Sequence, residues 1–460
     1  MENFRRRLIL GGGISGLTCA NELRRQGDIV TVLESQGRPG GAIRSIIEDG
    51  YLAETGPNTF QVTSKRTEEF LRNLDLEPMI VQPNVLSQKR YVVRDKRLHA
   101  VPSGVWSGIT TRLFRFRGKL RLLSDLVIPR RLDNAEESMA DFVRRRIGAE
   151  FLDYALNPMV GGVYAGDPEK LSIQHAFPKV YQLEQDFGGL IKGAIRKQWA
   201  AKPEDSVATR MISFCQGMET LPNAINRKLG DAVTTNAEVL SIVELDDGQW
   251  SVSWRVEGSE PKTRTFDTIV VAVPAHRISC LPWSTGMAPQ MAIFATIQYP
   301  PVAAVSLGFD RRQVEHPLDG FGMLIPENQR RSILGTLFTS SMFEGRAPAG
   351  KVNLTSFVGG ARQPELARLS EKELIGLVLK DIGELLGIDG HFEFSKVTKW
   401  ERAIPQYNLG YGAILDAMQD MERRWNGLYF CGNYRNGISV EKCITSALEL
   451  AQGIQQNRPV

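Results

Sequence analysis

Two periods of hydrophobicity alternate along the first part of the chain. Leu8 to Leu10 is a short apolar run, a glycine turn follows, Ile14 to about Arg25 reads as a helix, and Ile29 to Leu33 is apolar again. The pattern predicts strand, turn, helix, strand. The far end repeats it, with a strand over Leu428 to Cys431, a turn carrying Gly432 and Gly437, and a helix through Ile454. Between these ends "AVTTNAEVLSIVEL" and "WSVSWRV" alternate as half-buried strands, "FDTIVVAVP" reads as a buried one, and "VAAVSLGF" and "VNLTSFVG" predict a mixed or antiparallel sheet. In "WSGITTRLFRFRGKLRLL", residues 106–123, a helical wheel gathers Leu113, Phe116, Leu120 and Leu123 within an arc of about 80°, predicting an amphipathic segment that Gly118 weakens.

At 460 residues the chain is long enough for two or three domains and for a buried large ligand. A net charge of +4 is too small for nucleic-acid binding by the whole chain, so basic function is local. Five cysteines without a C-x-x-C pair support neither a disulfide framework nor a zinc site, and fit a reducing compartment. Five scattered histidines without H-E-x-x-H argue against metal catalysis. No apolar run is long enough to span a bilayer. Arg5, Arg6 and Arg7 run straight into the glycine motif, leaving no room for a cleavable signal, so a cytoplasmic protein is expected, peripheral at most on the membrane face.

Gly11, Gly13 and Gly16 form G-x-G-x-x-G at the strand-to-helix turn. The first glycine makes the tight turn, the second lets the backbone approach a pyrophosphate, and the third permits close helix packing, while the helix N-terminal amides face the phosphates. Glu34 ends the second strand, 23 residues after Gly11, where an acid accepts hydrogen bonds from a ribose. "GRPGGAIRS" follows, in which Arg38, Gly40, Gly41, Arg44 and Ser45 supply a second flexible turn with two cations for a pyrophosphate or an anionic flavin edge. The C-terminal glycine turn and helix suit a flavin ring, whose N1 and C2 region becomes anionic on reduction. Both ends thus converge on FAD rather than NAD.

Together the two ends resemble the glutathione-reductase-type flavoproteins that include monoamine oxidases and phytoene desaturases. The middle narrows the resemblance. "FVRRRIGAEFLDYALNPMVGGVYAGDPEKLSIQHAFPKVYQLEQDFGGLIKG" (142–193), "ETGPNTF", "GFGMLIP", "LGTLFTSSMF" and "FVGGARQPELA" are similar to the oxygen-dependent protoporphyrinogen IX oxidase family, plant-type branch. The resemblance implies an α/β fold in three parts: a Rossmann-like FAD domain of glutathione-reductase type (1–84, 206–275, 412–460), an α+β substrate domain (85–94, 276–411) and a helical membrane-binding insert (95–205). It implies FAD contacts at Gly11, Gly13, Ile14, Ser15, Gly16, Glu34, Ser35, Arg38, Gly40, Gly41, Arg44, Gly56, Pro57, Asn58, Val239, Trp400, Gly432, Asn433, Ile438, Ser439 and Val440. Leu324, Leu337 and Phe357 would sandwich a macrocycle near the flavin, and Gly166 would present a carbonyl to pyrrole N–H groups. The implied reaction removes six electrons from protoporphyrinogen IX, in three two-electron steps, with oxygen reduced to hydrogen peroxide. A homodimer is implied as well.

One position departs from that pattern. His99 stands where the plant-type branch has an arginine that pairs with a propionate, which weakens the anchor or makes it pH-dependent, with Arg97 or Lys96 as substitutes. The 106–123 stretch, with Arg112, Arg115, Arg117, Lys119 and Arg121 beside Trp106, Phe114 and Phe116, reads either as a core helix with a solvated basic face or as a monotopic membrane contact at the substrate mouth. The alternative activities are oxidation of coproporphyrinogen III, whose four carboxylates would want more cations, and amine oxidation. A porphyrin carrier with a vestigial flavin is the alternative from another class.

Overall fold

Strands buried on both faces need apolar side chains at every position, and the N-terminal segments supply them. Leu8, Ile9, Leu10, Val32, Ile269, Val270 and Val271 are all buried. In the computed structural model, which describes residues 5–133, 135–199 and 205–456, they form a five-stranded parallel sheet. Its order is Val233–Thr234, Ile29–Leu33, Arg6–Leu10, Thr268–Val271, Leu428–Phe430. The first strand starts two residues before the predicted Leu8, and the last stops at Phe430, one short of Cys431. The helices Ile14–Arg25 and Val440–Gln455 bury Leu17, Ala20, Ile444 and Ala447 in one core on this sheet. A three-stranded meander, Ala237–Glu244, Trp250–Val256 and Lys262–Phe266, adjoins it.

A second sheet has seven strands in the order Phe394–Trp400, Val302–Asp310, Lys351–Gly359, Ile333–Leu337, Gly320–Leu324, Lys89–Arg94, Arg97–Ala100. All neighbours are antiparallel except Gly320–Leu324 with Lys89–Arg94, so the sheet is mixed, as the alternating runs predict. It takes in Arg97–Ala100, and therefore His99, beyond residue 94. The helix Glu371–Leu386, started by a Ser370–Glu373 capping box, covers one face with Leu374, Val378 and Ile382. The opposite face meets the parallel-sheet unit and a set of helices between residues 105 and 199.

Those helices are held by buried charge. Arg146 and Asp125 are fully buried and Glu184 is 1% exposed. Arg146 Nε donates to Asp125 at 2.6 Å and Nη1 to Glu184 at 3.3 Å, while its remaining donors take the carbonyls of Ile128, Pro129 and Gly188. Every charge in the cluster is paired and hydrogen-bonded, which is the condition for burying it.

The single amphipathic helix over 106–123 is corrected. Two short helices, Val105–Thr110 and Phe116–Leu123, flank an extended break. Leu113 and Phe114 lie in that break and turn inward, with Phe114 stacked on Phe151 at 4.2 Å between ring centroids. Phe114 is therefore no interfacial ring. Gly118 does not break the helix; it makes room for Glu150, whose carboxylate accepts from Arg115 N and Arg94 Nη1 and whose Oε2 a Cβ at 118 would meet at 1.9 Å. Trp106, Phe116, Leu120 and Leu123 are exposed, so the core-helix reading fails for them.

Candidate functional site: a dinucleotide cradle facing an apolar sheet

The first glycine turn has the shape its spacing predicts. Gly11 has φ +108° and a Cβ there would strike Ala272 O at 2.8 Å, while a Cβ on Gly16 would lie 2.1 Å from Gly11 O. Gly13 has nothing within 4 Å of its Cβ position, which leaves the backbone open on that side. Gly13 is also the N-cap of the helix that contains Ile14, Ser15 and Gly16, and it supplies no side-chain acceptor for the first amides. An uncapped helix start beside open space is what a pyrophosphate requires.

The second loop docks onto the first. Gly40 N donates to Gly12 O at 2.7 Å, and Gly41, at φ +58°, sits 3.3 Å from Gly13 Cα by its Cβ position. Arg38 turns its Nη groups onto the carbonyls of Pro39, Gly41 and Ile43 and lies 3.6 Å from Glu219, so it shapes the loop, whereas Arg44 is exposed. Glu34 is buried and accepts from Gly12 N at 2.7 Å, Gln36 N at 2.8 Å and Ser35 Oγ at 3.4 Å. Glu34 O accepts from Ala237 N, which brings the strand carrying Val239 to the same rim.

Three further segments close on this cradle. Gly56 fits under Ala42 O, which its Cβ would meet at 2.3 Å; Pro57 is half-buried and Asn58 donates to Gly56 O. Trp400, at the edge of the seven-stranded sheet, donates to Thr55 O at 2.6 Å and fixes that loop to the sheet. On the other side Ser439 caps the last helix through Lys442 N, ahead of buried Val440 and behind half-buried Ile438, Gly432 and Asn433. Tyr407, which carries no sequence motif, holds this turn: its hydroxyl donates to Asn433 O at 2.7 Å and accepts from Gly437 N at 3.0 Å. Each predicted cofactor residue thus sits on one of these converging segments, and the uncapped helix, the open Gly13 and the buried Glu34 carboxylate at the end of the second strand fit a dinucleotide.

The seven-stranded sheet brings the predicted substrate residues together. Cross-strand partners share a face, and one row runs Thr398, Ala304, Phe357, Gly335, Leu324, Val92, His99. Leu337 lies on that face one row over, opposite Thr355 and Gly322. In Ile333–Leu337 only Leu337 is less than fully buried, and in Lys351–Gly359 only Phe357 and terminal Lys351. These apolar side chains are therefore half-buried on one sheet face rather than sealed in a core. Helix Asn157–Tyr164 crosses the face: Gly162 rests on Leu324, and Ala165, left-handed at φ 47°, packs with Phe357. Gly166 follows, with Gln406 Oε1 where its Cβ would be, and Gln406 Nε2 donates to Tyr164 O at 2.9 Å.

All five cysteines are free thiols, and burial pushes Cys431 up to about 12 and Cys443 up to about 11. Burial also pushes the Glu54 carboxyl up to about 7, against the hydrogen bonds from Ser45 and Met218 that hold it down.

A dinucleotide cradle beside an apolar sheet face fits a flavin-dependent oxidoreductase. The chain belongs to the flavin containing amine oxidoreductase family, which matches residues 14–455. It is 32% identical to protoporphyrinogen oxidase 2, chloroplastic/mitochondrial, of Arabidopsis thaliana, over 96% of this chain and 92% of that one. It is 33% identical to the mitochondrial protoporphyrinogen oxidase of Nicotiana tabacum (98% and 94%) and 28% identical to coproporphyrinogen III oxidase of Bacillus subtilis (95% and 95%). The solved structure of a protein from Exiguobacterium sp. 255-15 shares the fold, with TM-score 0.81, 22% identity and 99% of both chains covered. The cofactor is FAD.

Proposed function

We propose that this chain oxidises protoporphyrinogen IX to protoporphyrin IX with oxygen as acceptor and hydrogen peroxide as by-product, in tetrapyrrole synthesis. The observation that carries the reading is the shared sheet face of Leu324, Leu337 and Phe357, partly open between the FAD cradle and the helical cover. Bound FAD supplies the two-electron oxidation. The chain's own residues do the rest: the apolar shelf accepts pyrrole rings and excludes water, the Gly166 carbonyl accepts their N–H groups, and His99, at the far end of the same row, meets a propionate. The residues on the two glycine loops, with Gly56–Asn58, Val239, Trp400 and the 432–440 turn, hold the cofactor.

The arrangement supports three parts, with a Rossmann-like FAD unit of glutathione-reductase type, a substrate sheet and a helical insert that rests on a membrane. Among the described residues twelve of the seventeen exposed large apolar side chains fall between Val85 and Ile195, and no helix is long and apolar enough to cross a membrane. That concentration favours a peripheral site on the cytoplasmic membrane face, where an apolar, easily autoxidised substrate can pass without release to water.

The test is side-by-side oxidation of protoporphyrinogen IX and coproporphyrinogen III by the purified yellow protein, following porphyrin fluorescence and peroxide with autoxidation subtracted. A large preference in kcat/KM for protoporphyrinogen is expected. Preference for the tetracarboxylate moves the assignment to coproporphyrin formation, the activity in the Bacillus subtilis relative's name, and turnover of neither overturns both.

A further inference from the structure

Glu54 ends the strand Tyr51–Glu54 and stands immediately before the Thr55–Asn58 loop of the cradle. Its Oε2 accepts from Ser45 Oγ at 2.7 Å and its Oε1 from Met218 N at 2.8 Å. Ser45 Oγ accepts in turn from Glu219 N at 3.1 Å, and Glu219 Oε2 accepts from Ser45 N at 3.1 Å. The other oxygen of Glu219 lies 3.6 Å from Arg38 Nη1, in the loop that docks on the first glycine turn. Opposite, the buried Arg346 guanidinium reaches across from the segment before Lys351–Gly359, donates to Ser213 Oγ at 2.8 Å and Phe214 O at 2.9 Å, and acts on Glu54 by its charge. Gly217 seals the centre: a Cβ there would meet Ser45 Oγ at 2.2 Å and Glu54 Oε1 at 2.9 Å.

The five residues therefore form one relay, from Arg346 through Glu54, Ser45 and Glu219 to Arg38, in which a neutral serine separates two carboxylates and a guanidinium stands at each end, linking the segment before Lys351–Gly359 to the second glycine loop. The charges facing Glu54 are Arg346 and Glu219, and those facing Arg38 are Glu219, Arg44 and Glu34. Two carboxylates share one serine. With both ionised the two guanidiniums are neutralised, and with Glu54 protonated the relay carries one positive charge beside a cradle built for a pyrophosphate.

We propose that Glu54 is a positioning residue of the flavin cradle whose proton state sets the charge that the Arg38 loop presents to FAD, so that FAD binding is accompanied by uptake of a proton at Glu54. The inference rests on the FAD assignment of the glycine loops. The proton adds to a Glu54 oxygen and no other bond changes. By reciprocity, whatever raises Glu54 protonation tightens FAD, and FAD raises Glu54 protonation by the same factor. A titration near 7 puts this exchange inside the working range of a cell.

The test follows FAD release from the holoenzyme on dilution, by the rise in free-flavin fluorescence, from about pH 6 to about pH 8. The FAD Kd of the native protein is expected to rise about fivefold across that range, and that of Glu54→Gln, a neutral isostere whose Oε1 still accepts from Met218 N and whose Nε2 donates to Ser45 Oγ, by less than about twofold. A native Kd that is flat with pH, or a Glu54→Gln protein with the native slope, overturns the proposal. Where Glu54→Gln yields no folded holoenzyme, Glu54→Asp keeps a titratable carboxyl, and its pH step must move; an unmoved step is equally fatal. Protein purified without flavin absorbance at every pH would instead sink the FAD assignment itself.

Discussion

Leu324 lies so close over Gly162 that a Cβ on the glycine would come within 2.4 Å of the leucine Cδ2. With glycine at 162 the helix crossing the seven-stranded sheet leaves Leu324 in its place; any side chain there would have to move the leucine tip. Gly162→Ala is expected to push Leu324 off the shelf and raise KM for the porphyrinogen about tenfold, since sub-ångström misplacement of a positioning group is costly. The flavin absorbance and FAD content should stay native, because the cradle is untouched. Loss of FAD in parallel with KM would show that the helix supports the whole fold rather than the shelf.

His99 stands directly opposite Val92, which is paired in turn with Leu324. On the proposed reading a cation here stands at the end of the row that would hold the macrocycle, and a guanidinium would bind a propionate bidentately. His99→Arg is expected to lower KM about threefold or more, and His99→Ala to raise it, with kcat little changed. Equal KM values for the native protein and both variants would remove His99 from the site.

Much of this was legible in the sequence because glycine spacing encodes backbone contact. Gly11, Gly13 and Gly16 carry their roles in their positions, and the apolar runs beside them had to be central parallel strands. The shelf was legible only through family resemblance: Leu324, Leu337 and Phe357 look like core residues until strand register places them on one face and burial leaves them partly open. Tyr407 and Glu54 act through partners far along the chain, Asn433 and Met218, and no local pattern marks such pairs. The 106–123 wheel went wrong because an apolar stripe does not say where backbone hydrogen bonding stops; Leu113 left the helix to fill a hole beside Phe151 and Val92.

The buried Glu54 carboxyl makes stability depend on pH. Its folded value of about 7 is raised above the ordinary carboxylate value, so the folded state binds the proton more tightly. The stability this contributes is fully present below the unfolded value, near 4.5, and is lost as pH rises through 7, by about 3 kcal/mol in all. Glu54→Gln is expected to lose that dependence, so that the variant gains on the native protein between pH 5 and pH 8 in urea unfolding of the FAD-free protein. A constant difference across the range would place the titration elsewhere.

Arg146 holds the helical insert through Asp125 and Glu184, all three buried. Arg146→Met leaves the buried Asp125 carboxylate without its cation, while Glu184 keeps Arg145 at 2.8 and 3.0 Å, a loss of about 3–5 kcal/mol for the one broken buried pair. The helices between residues 105 and 199 are expected to become protease-sensitive near residues 121–128 before the five-stranded parallel sheet unfolds. Cleavage first in the parallel-sheet unit would contradict this order.

Among the described residues none covers the exposed face of Phe116–Leu123. Phe116, Leu120 and Leu123 are 74%, 51% and 55% exposed, and Trp106 80%, apolar surface that costs free energy in water. The cations beside them divide into two groups. Lys119 donates to the carbonyls of Ile109 and Thr111, and Arg121 to those of Arg145 and Arg146, so these two are structural. Arg112, Arg115 and Arg117 are exposed and can face anionic headgroups. Apolar insertion and headgroup attraction should therefore act together. The protein is expected to cosediment with vesicles containing phosphatidylglycerol, and added salt should weaken this only in part. Phe116→Ser with Leu120→Ser should cut partitioning about tenfold, while kcat on detergent-dispersed porphyrinogen stays native. Binding that salt abolishes completely, or that survives the double substitution, would mean that charge alone attracts this surface and that the apolar face serves another contact.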